Sequence, residues 1–229
     1  MEIFSSLPDP YIKNDFQTVY SPSDDTYLFI DFFKQNVNYN YFDGIEISKI
    51  KKILDIGTGT GIIAIFLQKI SDLIPHFNPK IYASDILEDA IECAKINEKL
   101  NNLKNRIHFI NSDLFDSFPY DLKNSFDIII FNSPYLPSIE YRKSKKALLN
   151  KDVTWNGGYK GFEIFLRFIK NFKTYINLKP PSYVYYSSSS YTDLIELNNK
   201  LKQQNLSSKV VAKKHIFFED IFLNRLQLV

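Results

Sequence analysis

Cysteine occurs once, as Cys93, and histidine three times in the 229 residues, so no internal disulfide framework and no zinc-ligand spacing can be drawn. Glycine is scarce too, with seven residues, which makes the places where several gather informative. No apolar run approaches the roughly 20 residues needed to cross a bilayer. Met1 is followed by acidic and polar residues rather than by a basic region and a hydrophobic stretch. A soluble protein in a reducing compartment, the cytoplasm, is the expectation. Nor does one charge dominate: the formal net charge of +2 neither establishes nor excludes a nucleic-acid partner. What the chain does have is 45% hydrophobic residues, including 15 Tyr and 20 Phe, enough for one full core. A single domain over residues 20–229, after an N-terminal extension over 1–19, is expected.

Hydrophobic spacing organises the chain. In SPSDDTYLFIDFFKQN (21–36), Leu28, Phe29, Phe32 and Phe33 fall on one helical face, and Ser21, Pro22 and Asp24 predict a capping-box start. Then come KKILDIG (51–57), KIYASDI (80–86), RIHFINSD (106–113) and FDIIIFN (126–132), short runs rich in β-branched and aromatic residues that end in small or polar ones. Helical patterns at 61–70 and 87–100 separate the first three. Such alternation predicts an α/β fold, with a parallel sheet covered by helices on both faces. A helix at about 159–177, a strand at 182–190 and a helix at 191–204 continue it. SKVVAKKHI and DIFLNRLQLV close it as an antiparallel hairpin. Residues 38–43 and 142–151 read as loops.

LDIGTGTG places Asp55, Gly57, Gly59 and Gly61 between a strand and a helix. Without β-carbons the backbone can approach a ligand closely, and the helix start offers free N–H groups. A plain tight turn is the alternative. Asp85 ends the second strand, where an acid can receive both ribose hydroxyls of a nucleoside. Asp113 ends the third, placed to accept from an exocyclic amine. Alone, each could be a cap or a solvated residue; in a doubly wound sheet all converge above the carboxyl edge. Position 62 is Ile, so the third glycine of a dinucleotide turn is absent, and no G-K-[ST] exists for phosphate. Dehydrogenase and nucleotide-hydrolase readings therefore fail.

These residues resemble the class I S-adenosylmethionine-dependent methyltransferases over residues 20–229. The resemblance implies a doubly wound, seven-stranded, mostly parallel Rossmann-like sheet whose last strand is antiparallel. It also implies S-adenosyl-L-methionine as cofactor. Asp55, Gly57, Gly59 and Gly61 would form the methionine-side turn. Asp85 with Ile86 would hold the ribose, and Asp113 with Leu114 the adenine.

Asn132-Ser133-Pro134-Tyr135 follows the fourth strand and resembles the N-P-P-Y motif of methyltransferases that modify a planar, weakly nucleophilic nitrogen. The Asn132 side-chain oxygen and the residue-133 carbonyl can each accept one hydrogen of an NH₂ group and so aim its nitrogen. Tyr135 can lie against the planar group, Pro134 stiffens the loop, and Asn132 also borders the cofactor. Ser133 stands where the motif has proline, which keeps the carbonyl and loses the fixed φ. A Pro turn closing a buried strand is the bland alternative. Direct in-line transfer is expected, with no covalent enzyme intermediate and no metal.

Two further stretches resemble the eukaryotic and archaeal branch of the HemK-type glutamine methyltransferases. VYSPSDDTYLFID (19–31) is similar to YEPAEDTFLLLD and would bring Tyr20 and Thr26 near the cofactor, although Ser21 replaces a usual Glu. WNGGYKGFEIFLRF (155–168) is similar to WAGGxxGxxxxxRF and supplies Trp155, Gly157, Gly158 and Gly161. The resemblance implies transfer to the glutamine amide in the Gly-Gly-Gln motif of a translation release factor. It also implies a heterodimer with a small zinc-binding activator that adds to a sheet edge, where RIHFINSD would lie. The short segment before Tyr20, without the docking domain of bacterial relatives, points to the same branch. Two other readings remain. The motif suits an exocyclic amine of adenine or guanine in RNA or DNA, with Arg142, Lys143, Lys145, Lys146 and Lys151 as phosphate contacts or as a solvated loop. A non-catalytic scaffold that binds S-adenosylmethionine is the other.

Overall fold

The computed structural model describes residue 4 and residues 7–138, 156–179 and 181–228. Trp155 and the basic stretch 141–151 lie outside the described residues. A seven-stranded sheet forms the centre: β3 (Lys52–Ile56), β4 (Lys80–Asp85), β5 (His108–Asn111), β6 (Ile128–Phe131), β9 (Tyr183–Ser189), β10 (Leu206–Ile216) and β11 (Glu219–Leu228). Their order is β10-β11-β9-β6-β3-β4-β5. β3, β4, β5, β6 and β9 run parallel, while the last strand, β11, lies antiparallel between β9 and β10. The chain order reverses next to β3, which opens a crevice at the carboxyl edge there.

Alternation along the strands builds two apolar layers. Ile53, Ile128 and Ile130 face α1 (Asp24–Asn36) and α2 (Ile62–Leu73). Leu54, Ile129 and Phe131 face the aromatic side of α4 (Glu163–Asn171) and α5 (Leu194–Lys202). α3 (Glu88–Leu100) completes the helices. No helix among the described residues is long and apolar enough to cross a membrane.

The structure departs from the sequence expectation at several places. α1 begins at Asp24 with Ser23 at the N-cap and no side-chain cap bond, so Ser21 is not the cap. Asp24 and Asp25 instead put carboxylates into the first turn, where the helix dipole favours them. The helix expected over 159–177 is confined to α4 plus a 3-10 turn at Phe172–Thr174, because Gly158 and Gly161 take φ of +103° and +81°, outside helical space. The 38–43 stretch is not simply loop. β1 (Tyr41–Phe42) pairs with β2 (Ile45–Glu46) around Asp43-Gly44, whose φ values of +44° and +82° are those of a tight hairpin turn. A further small pair, β7 (Leu136–Pro137) with β8 (Asn156–Gly158), lies beyond the central sheet. Residues 7–19 belong to the stretch expected as an N-terminal extension. They strap along α3, where Asn101 and Asn97 accept from the Tyr11 and Lys13 N–H groups at 3.0 and 2.9 Å.

Candidate active site

A cavity of about 440 Å³ opens at the carboxyl edge, bounded by the ends of β3, β4 and β6, the start of α1, and the segment after β8. Its floor is the glycine turn. Gly57 and Gly59 take φ of +65° and +55°, and the nearest atom to an added Cβ at Gly59 would be the Tyr20 carbonyl at 3.8 Å, so the backbone lies open to a ligand. Gly61 does not line the cavity. A Cβ there would meet the Ala94 Cβ at 2.8 Å, so this glycine serves the close packing of α2 on α3. Asp55 is likewise behind the wall. It is fully buried, accepts from Thr58 Oγ1 at 2.7 Å, and holds the turn from below. Burial pushes its carboxyl up to about 7, against the opposing Thr58 and Ala64 donors. Asn97, 0% exposed, ties the turn to the strap by donating to the Thr60 carbonyl at 3.0 Å.

Asp85 lines the cavity, and both its oxygens are oriented by backbone. Oδ2 accepts from Gly59 N at 2.9 Å and Oδ1 from Leu87 N at 3.0 Å. Burial raises its pKa, opposed by those donors. A carboxylate has about four lone-pair sites, so capacity for hydroxyl donors remains. Ile86 and Leu114 border the same space. Leu114 holds a left-handed φ of +49°, a conformation that costs a non-glycine residue about 1 kcal/mol or more and gathers at ligand sites. Asp113 is also on the wall, but its Oδ2 already accepts from Arg167 Nη2 at 2.8 Å. Arg167, on α4, was not singled out from sequence, although it is the R of the closing RF pair.

At the other end stand Asn132, Ser133, Pro134 and Tyr135, with Tyr20 and Thr26 beside them. Asn132 Nδ2 donates to Asp25 Oδ2 at 3.1 Å and to Thr26 Oγ1 at 3.3 Å. Since a carboxylate can only accept, the amide nitrogen faces α1 and the oxygen points away. That oxygen, Oδ1, is buried and has no hydrogen-bond partner among the described residues. Asp25, invisible as a site residue in the helix-start pattern, is 6% exposed, and burial raises its pKa against the Asn132 and Thr26 donors. The Tyr135 phenol is pushed far above its ordinary value by burial and then by the charges of Asp25 and Glu219, so it stays protonated and is no base.

The loop is clamped from the glycine motif. An added Cβ at Gly157 would lie 2.6 Å from the Gly161 carbonyl oxygen and 2.7 Å from that of Pro134, and one at Gly161 would run into the Tyr135 carbonyl. Backbone here passes directly over backbone. The Ser133 carbonyl accepts from Ser187 Oγ at 2.9 Å, which takes one of its two lone pairs and leaves one for the single hydrogen it was expected to accept.

An open parallel sheet with one antiparallel inserted strand, a glycine turn, two strand-end acids and an oriented amide define a class I methyltransferase that uses an adenosyl cofactor. A methyltransferase-domain family matches residues 47–221, and the chain belongs to it. Its cofactor is S-adenosyl-L-methionine. A Methanocaldococcus jannaschii protein, provisionally named a protein N5-glutamine methyltransferase, is 35% identical over 90% of this chain and 89% of its own length. A release factor glutamine methyltransferase of Clostridium acetobutylicum is 29% identical over 72% of this chain. The chain spans 55% of that relative's length. Among solved structures, a chain of the E. cuniculi Mtq2–Trm112 complex, responsible for methylating the eRF1 termination factor, superposes with a TM-score of 0.62. That match has 20% identity and covers 93% of this chain and all of that one. A ribosomal protein L11 methylase of Lactobacillus delbrueckii gives 0.57 at 17% identity, covering 90% and 80%.

Proposed function

We propose that this protein methylates the N5 amide nitrogen of the glutamine in a Gly-Gly-Gln motif of a translation termination factor, in the cytoplasm. The observation that carries the reading is the buried Asn132 Oδ1, which has no partner among the described residues. A buried acceptor without a donor costs about 1–3 kcal/mol, and an incoming NH₂ group relieves that cost. When bound, S-adenosylmethionine supplies an electrophilic methyl carbon on a sulfonium. Asp85 would hold the ribose, the Gly57–Gly59 backbone the methionine end, and Asp113, braced by Arg167, the adenine. Asn132 Oδ1 accepts one amide hydrogen and the free lone pair of the Ser133 carbonyl accepts the other, which fixes the nitrogen's direction. Both oxygens become better partners as positive charge grows on that nitrogen. Asp25, behind the Asn132 amide, polarises it in the same sense. Tyr135, kept neutral, supplies a flat apolar face.

A small zinc-binding activator, as the resemblance implies, is proposed as partner on the free edge of β5. The Mtq2–Trm112 complex supports the pairing. The test is transfer of labelled methyl to purified release factor, with and without activator, using a Gln→Ala change in the factor's Gly-Gly-Gln loop. Label that vanishes with that glutamine is expected. Label on RNA or DNA instead would move the acceptor to a base, and no label on any acceptor would sink catalysis.

A further inference from the structure

We propose that the hydroxyl run closing β9, Ser187 and Thr192 above all, is a positioning cradle for the acceptor loop. This rests on the reading of Asn132 to Tyr135 as the loop that receives the amide. Sheet register brings the two segments together: Phe131 pairs with Tyr186, so the residues leaving β6 run beside those ending β9. Ser187 Oγ donates to the Ser133 carbonyl at 2.9 Å, and Ser133 Oγ donates back to the Ser187 carbonyl at 3.2 Å. Two residues further along the loop, the Tyr135 carbonyl accepts from Thr192 Oγ1 at 3.0 Å, and that hydroxyl accepts from Ser189 N at 3.1 Å. Ser133, Ser187, Ser189 and Thr192 are all buried, so water does not compete for these bonds, and in a low-dielectric setting each is stronger than at the surface.

The geometry gives serine at position 133 a use. A proline there would fix φ by its ring. Serine leaves φ free but recovers the restraint through a reciprocal pair of bonds to the neighbouring strand. A hydroxyl on one lone pair of the Ser133 carbonyl also fixes where the other points, and that other is the one offered to the acceptor. Ser188 is an internal contrast: its hydroxyl accepts from Asn224 Nδ2 at 2.8 Å, away from the loop.

The experiment uses the full chain with its activator and the variants Ser187→Ala, Thr192→Val, Thr192→Ser and Ser188→Ala. S187A and T192V should lower kcat about tenfold or more, since displacement of reacting groups by less than an ångström is felt on that scale. KM for S-adenosylmethionine should move by less than about twofold, the signature of lost acceptor geometry. Amide hydrogen exchange should quicken at the non-proline residues of 132–137 in both variants and, in T192V, also at Ser189, whose N–H loses its acceptor, and nowhere else. T192S and S188A should match the parent. Parental kcat in S187A and T192V, a loss that T192S does not recover, or faster exchange throughout β6 and β9 would overturn the cradle. Exchange needs no acceptor, so a parent chain that transfers no methyl to release factor fails the functional reading, while the cradle is still decided by exchange.

Discussion

Asn132 answers to two neighbours at once. Asp25 and Thr26 hold its amide nitrogen, and its oxygen, without a partner among the described residues, is the proposed acceptor for the substrate amide. Asn132→Ala should therefore cut kcat by about 10²-fold or more, in the range seen when an oriented donor or acceptor to the transition state is removed, with cofactor affinity nearly intact by calorimetry. Equal loss of both would contradict the division. Asp55 supplies a second residue-level prediction. Its ordinary value is 3.8 and its folded value about 7, so between those values the folded chain holds a proton that the unfolded chain has lost. Stability should fall as pH rises through that window, by at most about 1.4 kcal/mol per pH unit for this proton. Asp25 and Asp85 are raised as well and act with the same sign. The difference between the parent and Asp55→Asn isolates the one group: urea midpoints should decline less steeply in D55N, and parallel pH dependences would refute the assignment. The acids and the asparagine were legible because each ends a strand in a recognisable motif. Asp25, Arg167, Ser187 and Thr192 were not, because a helical acid, a helical arginine or a serine run carries no local sign of the element it will meet.

At the level of elements, the buried parallel strands were legible because both their faces are covered, which turns them into unbroken apolar runs such as Ile128–Phe131. Two-residue strands leave no such pattern, and β1, β2, β7 and β8 went unseen, although the Asp43-Gly44 dipeptide is a hairpin signal in its own right. That turn is anchored by tertiary contacts: Asp43 Oδ2 accepts from Tyr185 Oη at 2.6 Å and pairs with Arg225 Nη1 at 2.7 Å. Both sides of the ion pair are largely buried, with side-chain exposures of 15% and 14%. Asp43→Ala should cost about 3 kcal/mol or more in chemical denaturation, because it strands the Arg225 charge, and a change below about 1 kcal/mol would show that water replaces the carboxylate. The β7 and β8 pair packs its glycine backbone against the segment after β6. Gly157→Ala puts a methyl group against the Pro134 and Gly161 carbonyls. It should shift the acceptor loop and lower kcat about tenfold or more while cofactor binding persists.

For the whole molecule, the two sheet edges that are free among the described residues differ in kind. β10 is long, but Lys209 and Lys213 are exposed along it, and a register shift between Val210 and Ala212 interrupts it. Charges and bulges of this sort discourage strand addition. β5 has four residues, no lysine, and Phe109 and Ile110 half-buried between exposed His108 and Asn111. It is the edge on which added strand pairing costs least, and it lies next to β4, whose Asp85 enters the cofactor site. A partner there would be felt by the cofactor through one strand. Ile110→Lys should leave S-adenosylmethionine affinity of the lone chain within about threefold, since Ile110 lies outside the cavity wall. It should abolish the thermal stabilisation by the proposed activator, which for the parent is expected to be about 2.7 kcal/mol at a hundredfold excess over Kd. A mutant chain still stabilised to the same extent would move the partner off β5, leaving the charged β10 edge or a helical face as its seat.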